Sequence, residues 1–194
     1  RRQRQMCIRD RRGNVTHILE DEEHTIWAIT EKGVFRYNEK EDKFTLVRDK
    51  DNNPVIASSL CLWEDGVIFG GRGSLYKYNY EDHIINLFHT LKPNGKYHIS
   101  NLYQWDSRTL LATNRWAKAL FIDIATGNTR PVPFNSEQII SLLIDKKGNV
   151  WVAHYNQGVS CYDRNGKQLQ TYHTQNSPLK TNVLLSSEEH NGQI

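Results

Sequence analysis

Asn114, Arg115 and Trp116 place an amide, a guanidinium and a flat apolar ring side by side. That mixture suits a sugar. The ring can cover the C–H face of a pyranose, and the planar donors reach hydroxyls or a uronic carboxylate. Arg72, His154, Tyr155 and Asn156 offer similar chemistry in two other polar stretches and complete a set of candidate ligand contacts. Trp116 is set apart from the other tryptophans because it falls outside the apolar alternation on either side of it.

No catalytic set is expected. The sequence has no GxSxG elbow, HExxH helix, Walker loop or dinucleotide fingerprint. Gly70, Gly71 and Gly73 form a cluster between two strand-like runs, without the helix that a phosphate cradle needs behind it. The eight histidines, at 17, 24, 83, 89, 98, 154, 173 and 190, include no pair at ligand spacing. Neither a metal nor a cofactor is expected. Glu22 with Glu23, and Glu188 with Glu189, read as hairpin-turn residues. An enzyme built on this chain would have to draw acids and bases from His98, His154, Glu31 and Asp49 to Asp51.

Charge gives no support to nucleic-acid binding. The net charge is +3, but the Arg-rich first dozen residues carry +5 and the rest −2. A phosphate-binding domain needs a basic face on its fold. No window approaches the ~18 apolar residues of a membrane span, and no apolar leader follows Arg1. Cys7, Cys61 and Cys161 are widely spaced, without a CxxC pair, and read as small buried hydrophobes.

The elements that would position these residues come from a repeat. Asp21 matches Asp145, Trp27 matches Trp151, and after one extra loop residue Gly33 matches Gly158 and Tyr37 matches Tyr162. Two weaker copies lie between them, with Ile68 and Leu110 in the tryptophan column, so the steps are 41, 42 and 41 residues. Tyr78 and Ile122 fill the tyrosine column, and Gly73 the glycine column. In the last full copy, Ile139 to Ile144 is a strand, Asp145 to Asn149 a hairpin turn with Gly148 at positive φ, and Val150 to Ala153 the next strand. Four short antiparallel strands per ~40 residues make one propeller blade. No sustained helical period occurs. Trp27, Gly33, Tyr37, Gly73, Tyr78, Asp145, Gly148, Trp151, Gly158 and Tyr162 are therefore structural signature residues, and Trp63 and Trp105 read as blade packing.

The expected organisation is a basic segment or the end of a preceding blade at 1–14, then blades at 15–54, 55–97, 98–138 and 139–182. The start of a fifth follows at 183–194. A seven-bladed ring would need more repeats than these. Loops from second to third strands, and those between blades, should emerge on one face and carry the candidate ligand residues.

Asp145, Gly148, Asn149, Val150, Trp151, Gly158, Val159 and Tyr162 resemble the two-component regulator propeller repeat, as do Asp21, Trp27, Gly33, Val34 and Tyr37. Such repeats build the sensor half of hybrid two-component systems in Bacteroides-type bacteria. The resemblance implies a periplasmic segment of an inner-membrane protein. Its ligand would be an oligosaccharide, and its neighbours would be adjoining blades, an immunoglobulin-like domain, a membrane span and a histidine kinase controlling transcription. It leaves a homodimer open. Two other classes remain: a lyase or hydrolase resembling streptogramin lyase, and a structural or docking propeller of a surface or secretion system.

Overall fold

The computed structural model describes residues 14–91 and 97–183. The Arg-rich start with Cys7, residues 92–96, and the expected fifth-repeat residues 184–194 lie outside the described residues. Every regular element among the described residues is a strand. These are β1 (Val15–Glu20), β2 (Ile26–Thr30), β3 (Gly33–Asn38), β4 (Lys43–Leu46), β5 (Ser59–Trp63), β6 (Gly66–Gly70), β7 (Ser74–Asn79), β8 (Ile85–Thr90) and β9 (Asn101–Asp106), followed by β10 (Thr109–Asn114), β11 (Ala117–Asp123), β12 (Thr129–Pro131), β13 (Ile139–Ile144), β14 (Val150–His154), β15 (Gly158–Tyr162) and β16 (Gln168–Tyr172). They form four sheets, each of four strands consecutive in sequence: β1–β4, β5–β8, β9–β12 and β13–β16. Strand, turn and strand in the expected order give four antiparallel blades.

The chain divides into two compact units, 1–107 and 108–194, parting in the turn between β9 and β10. In the first unit, Val67, Ile68 and Phe69 of β6 are all buried. A strand covered on both faces reads as a continuous apolar run rather than an alternation. Trp27, Ile29 and Val34 of the first blade pack with Val67, Phe69 and Tyr78 of the second. The Trp27 ring meets Phe69 and Tyr78 edge-on, at centroid distances of 5.2 and 4.9 Å. The Arg36 guanidinium lies over Trp27 at 5.7 Å. Ser59 fastens the second blade to β9 by accepting a hydrogen bond from Leu102 N at 2.7 Å.

Both strong repeats place an aspartate in the first turn, and the structure gives its purpose. Asp21 Oδ1 accepts from Glu23 N (3.0 Å) and Thr25 N (2.8 Å), closing the turn, while Oδ2 accepts from Trp27 Nε1 at 2.7 Å. Asp145 repeats this with Lys147 N (2.9 Å), Asn149 N (2.8 Å) and Trp151 Nε1 (2.9 Å). One carboxylate therefore shapes the hairpin and satisfies an indole donor that would otherwise have to be left unpaired or turned to water. Burial works against ionisation of Asp145, but the hydrogen bonds from Trp151, Asn149 and Lys147 outweigh it and hold the carboxyl below its ordinary range.

Gly33, Gly73 and Gly158 all have positive φ at the entry to the third strand. At Gly158 (φ 77°) a Cβ would also stand 2.1 Å from the Tyr172 carbonyl. In the second unit, Tyr162 stacks on Phe134 of the segment between blades, with centroids 5.3 Å apart. The third blade corrects one alignment. Tyr78 and Tyr162 sit opposite Val67 and Val150, one residue before the tryptophan column, and Tyr37 follows Arg36, the partner of Trp27; opposite Thr109, the matching place holds Asp123. Ile122 instead pairs with Leu110 itself, so it shares the register of Arg36 and Cys161.

Cys61 and Cys161 are free thiols. Burial pushes Cys61 up to about 12 and raises Cys161, which Asp145 raises further. Cys161 is buried as expected, whereas Cys61 is half-buried, and the raised pKa of each disfavours the reactive thiolate.

Candidate ligand site in the second unit

The turn joining β10 to β11 consists of Arg115 and Trp116. Asn114, the last residue of β10, is 7% exposed, and its Oδ1 accepts from Trp116 N at 2.7 Å. This Asx-type bond tightens the turn. Trp116 is 83% exposed, the highest among the large apolar residues described, with Ile18 next at 68%.

The loop after β14 supplies the adjoining surface. Tyr155 is 41% exposed, and its N–H donates to Gln138 O at 3.0 Å. The Arg115 guanidinium lies 5.5 Å from the Trp116 ring centroid and 5.8 Å from that of Tyr155. Three side chains from two neighbouring blades thus form one ledge of ring, cation and ring.

Beneath it runs the inter-blade segment. Ala119 N donates to Ser136 Oγ at 3.1 Å, and Lys118 Nζ stands 4.0 Å from the Glu137 carboxylate. The Nδ1 of His154, a residue 1% exposed, is 3.1 Å from Glu137 O. A carbonyl only accepts, so Nδ1 carries the hydrogen, and Nε2 is left as a bare lone pair. That atom is buried with no hydrogen-bond partner among the described residues. Burial lowers the pKa of His154 below 6.5, and the bond to Glu137 offsets this only partly.

Of the sequence candidates, the structure brings Arg115, Trp116 and Tyr155 together. Asn156 is exposed in the same loop as Tyr155. Asn114 and His154, expected in loops, are instead the buried last residues of their strands, because β10 and β14 each run further than the apolar pattern suggests. They support the ledge from below. Arg72 belongs to the first unit, where its backbone bridges His98. Asp49 Oδ1 accepts from Asp51 N and Asn53 N, at 3.0 and 2.8 Å, as a turn residue does. Among the described residues no three His, Cys, Asp or Glu side chains are grouped to hold a metal. Sequence reasoning missed Lys118, Ser136, Glu137 and Gln138. Their one available signal was position, since a segment entering the next blade must pass the preceding blade's second loop.

Residues 133–156 match the family model described as two component regulator propeller, so this stretch is such a repeat. A search of curated proteins finds no match. Among solved structures, the chain is similar to an extracellular domain assigned to a hybrid two component system of B. thetaiotaomicron, with TM-score 0.62 and 18% identity over 82% of this chain. The chain spans 24% of that domain's length. It is also similar to virginiamycin B lyase from Staphylococcus aureus, with TM-score 0.61 and 11% identity, covering 84% of this chain and 56% of the lyase. A third similar structure is PorZ, a surface component of the type-IX secretion system of Porphyromonas gingivalis, with TM-score 0.63 and 14% identity, covering 92% of this chain and 30% of PorZ. At these identities the likenesses establish a β-propeller fold.

Proposed function

We propose that the chain is an extracytoplasmic sensing segment of a hybrid two-component sensor, and that it binds an oligosaccharide on the Arg115, Trp116 and Tyr155 ledge. The propeller repeat at 133–156 and the likeness to an extracellular two-component domain support the sensor part. The observation that carries the binding part is Trp116, a large ring held 83% exposed by a turn bonded to a buried asparagine. Leaving such a ring in water sacrifices burial that a ligand face would recover.

In this reading the segment binds and does not catalyse. The parent chain would place it in the periplasm, join it to further blades and a membrane span, and pass the signal to a kinase that regulates glycan-use genes. Ligand can drive that signal only by favouring one arrangement of domains, or of two copies, over another. Likeness to a lyase and to a secretion-system component shows that the fold serves other ends. The ledge favours binding because its one buried titratable ring, His154, is 1% exposed and holds the Glu137 carbonyl.

Calorimetric titration with plant and host oligosaccharides tests the proposal. Trp116→Ala should weaken a bound saccharide at least about tenfold, the worth of one stacked ring. Unchanged affinity in that variant would remove the site, and absence of binding across the panel would remove the oligosaccharide.

A further inference from the structure

We infer that the ledge carries an acid-sensitive lock: protonation of His154 expels its ring, frees the inter-blade segment 136–138 and releases Tyr155 from its place on the ledge. The device is independent of what the ledge binds. It starts from how the segment is tied. Ser136 Oγ accepts from Ala119 N at 3.1 Å, on the strand that leaves the Trp116 turn. Glu137 O accepts from His154 Nδ1 at 3.1 Å, and Gln138 O from Tyr155 N at 3.0 Å. Three successive residues therefore join the two loops that carry the ledge rings. Gln138 has φ 52°, a left-handed conformation that residues other than glycine keep only where their surroundings impose it. Once a tie is lost, that strain favours opening.

His154 is the tie that acid can cut. Its ring is 1% exposed, Nδ1 donates to Glu137, and Nε2 is buried with no hydrogen-bond partner among the described residues. In the neutral ring that nitrogen is only an unused lone pair. A proton there makes a charged donor with neither acceptor nor water, which costs far more. The ring escapes the cost by turning out at the end of β14, where Tyr155 and Asn156 are exposed, and it then leaves Glu137. The groups around it do not hold the charge in place. Ile139 and Gly158, its partners on β13 and β15, are uncharged. Arg115 and Lys118, on the adjoining turn and strand, are cations, and Tyr155 is a phenol. The Glu137 carboxylate is exposed, with the Lys118 ammonium at 4.0 Å, so it draws an imidazolium outward. Burial keeps the pKa of the enclosed ring below 6.5, so the open segment takes the proton more readily than the closed one.

The test is amide hydrogen exchange of the full chain by NMR, corrected for the intrinsic effect of pH, alongside titration of the His154 imidazole. Between about pH 7.5 and 5, protection of the Tyr155 and Ala119 amides should fall at least about fivefold, within the roughly tenfold per pH unit that one proton allows. The Phe69 amide, on β6 of the other unit, should keep its protection. His154→Gln retains a donor for Glu137 and cannot take up the proton, so its protection should stay level over the same range. Should that variant not fold, the wild-type chain still decides, because the fall must follow the His154 midpoint. Protection that holds while His154 takes its proton would overturn the lock, as would protection that never changes. A fall of equal size in His154→Gln, or one shared by Phe69, would do the same by assigning the acid response to another group or to global unfolding.

Discussion

At the scale of single residues, the same pair, an aspartate and the tryptophan six positions later, sits in two different degrees of burial. Trp27 is 1% exposed, so losing the Asp21 carboxylate strands an indole N–H away from water. Asp21→Ala should cost about 2 to 3 kcal/mol in denaturant unfolding. Trp151 is only partly buried, and Asp145→Ala should cost less, about 1 kcal/mol, because water can replace the acceptor. His154 gives a pH signature with a definite sign. Its folded pKa lies below 6.5, so the unfolded chain binds more protons as the pH falls through 6.5. Stability should therefore be complete above that pH and fall on acidification towards the lower folded value. His154→Gln keeps a donor for Glu137 and should flatten the dependence between pH 7 and 5 in thermal melts. The sequence showed the Asp and Trp columns as a repeat, but not the bond between them, since spacing says nothing of side-chain reach. It also showed Trp116 as out of register, and that irregularity was enough to find the most exposed ring.

Among the elements, a glycine at a third-strand entry and one in a first hairpin turn separate two kinds of constraint. At Gly158 a positive φ coincides with a carbonyl 2.1 Å from where a Cβ would be. Gly158→Ala should destabilise the chain by at least about 2 kcal/mol, because β15 cannot move without breaking its pairing with β16. Gly148 has φ 84°, yet its nearest neighbour would be an Arg164 side-chain atom at 3.8 Å. Gly148→Ala should cost about 1 kcal/mol, for backbone strain alone. Urea titrations of the two variants would check the ordering. Strand order and blade count were legible because each blade is built from neighbouring strands joined by short turns. Strand ends were less so. Asn114 and His154 are polar, and polarity marks a loop only where nothing buried can satisfy it; here Trp116 N and the Glu137 carbonyl do. The one-residue misplacement at Ile122 has a similar origin, since Asp123 lacks the ring that marks the column elsewhere.

For the molecule as a whole, repetition makes the blades near-equivalent in framework and unequal in surface. Proteins of this kind hold together through interfaces between adjacent repeats, so a defect at Asp21 or Gly158 should be felt first within its own unit. Function is carried by the turns, which differ while the strands recur, and that is why the repeat alone identifies a scaffold rather than a ligand. The tryptophans follow the same division. Trp27 and Trp63 are 1% and 6% exposed, whereas Trp116 is 83% exposed. Excited at the indole band, the protein should therefore combine buried, blue-shifted emitters at Trp27 and Trp63, half-buried ones at Trp105 and Trp151, and in Trp116 the emitter most open to collisional quenching by iodide or acrylamide. Anything that settles on the ledge would shield that emitter selectively, so the protein brings its own optical reporter to the titration, with no label attached.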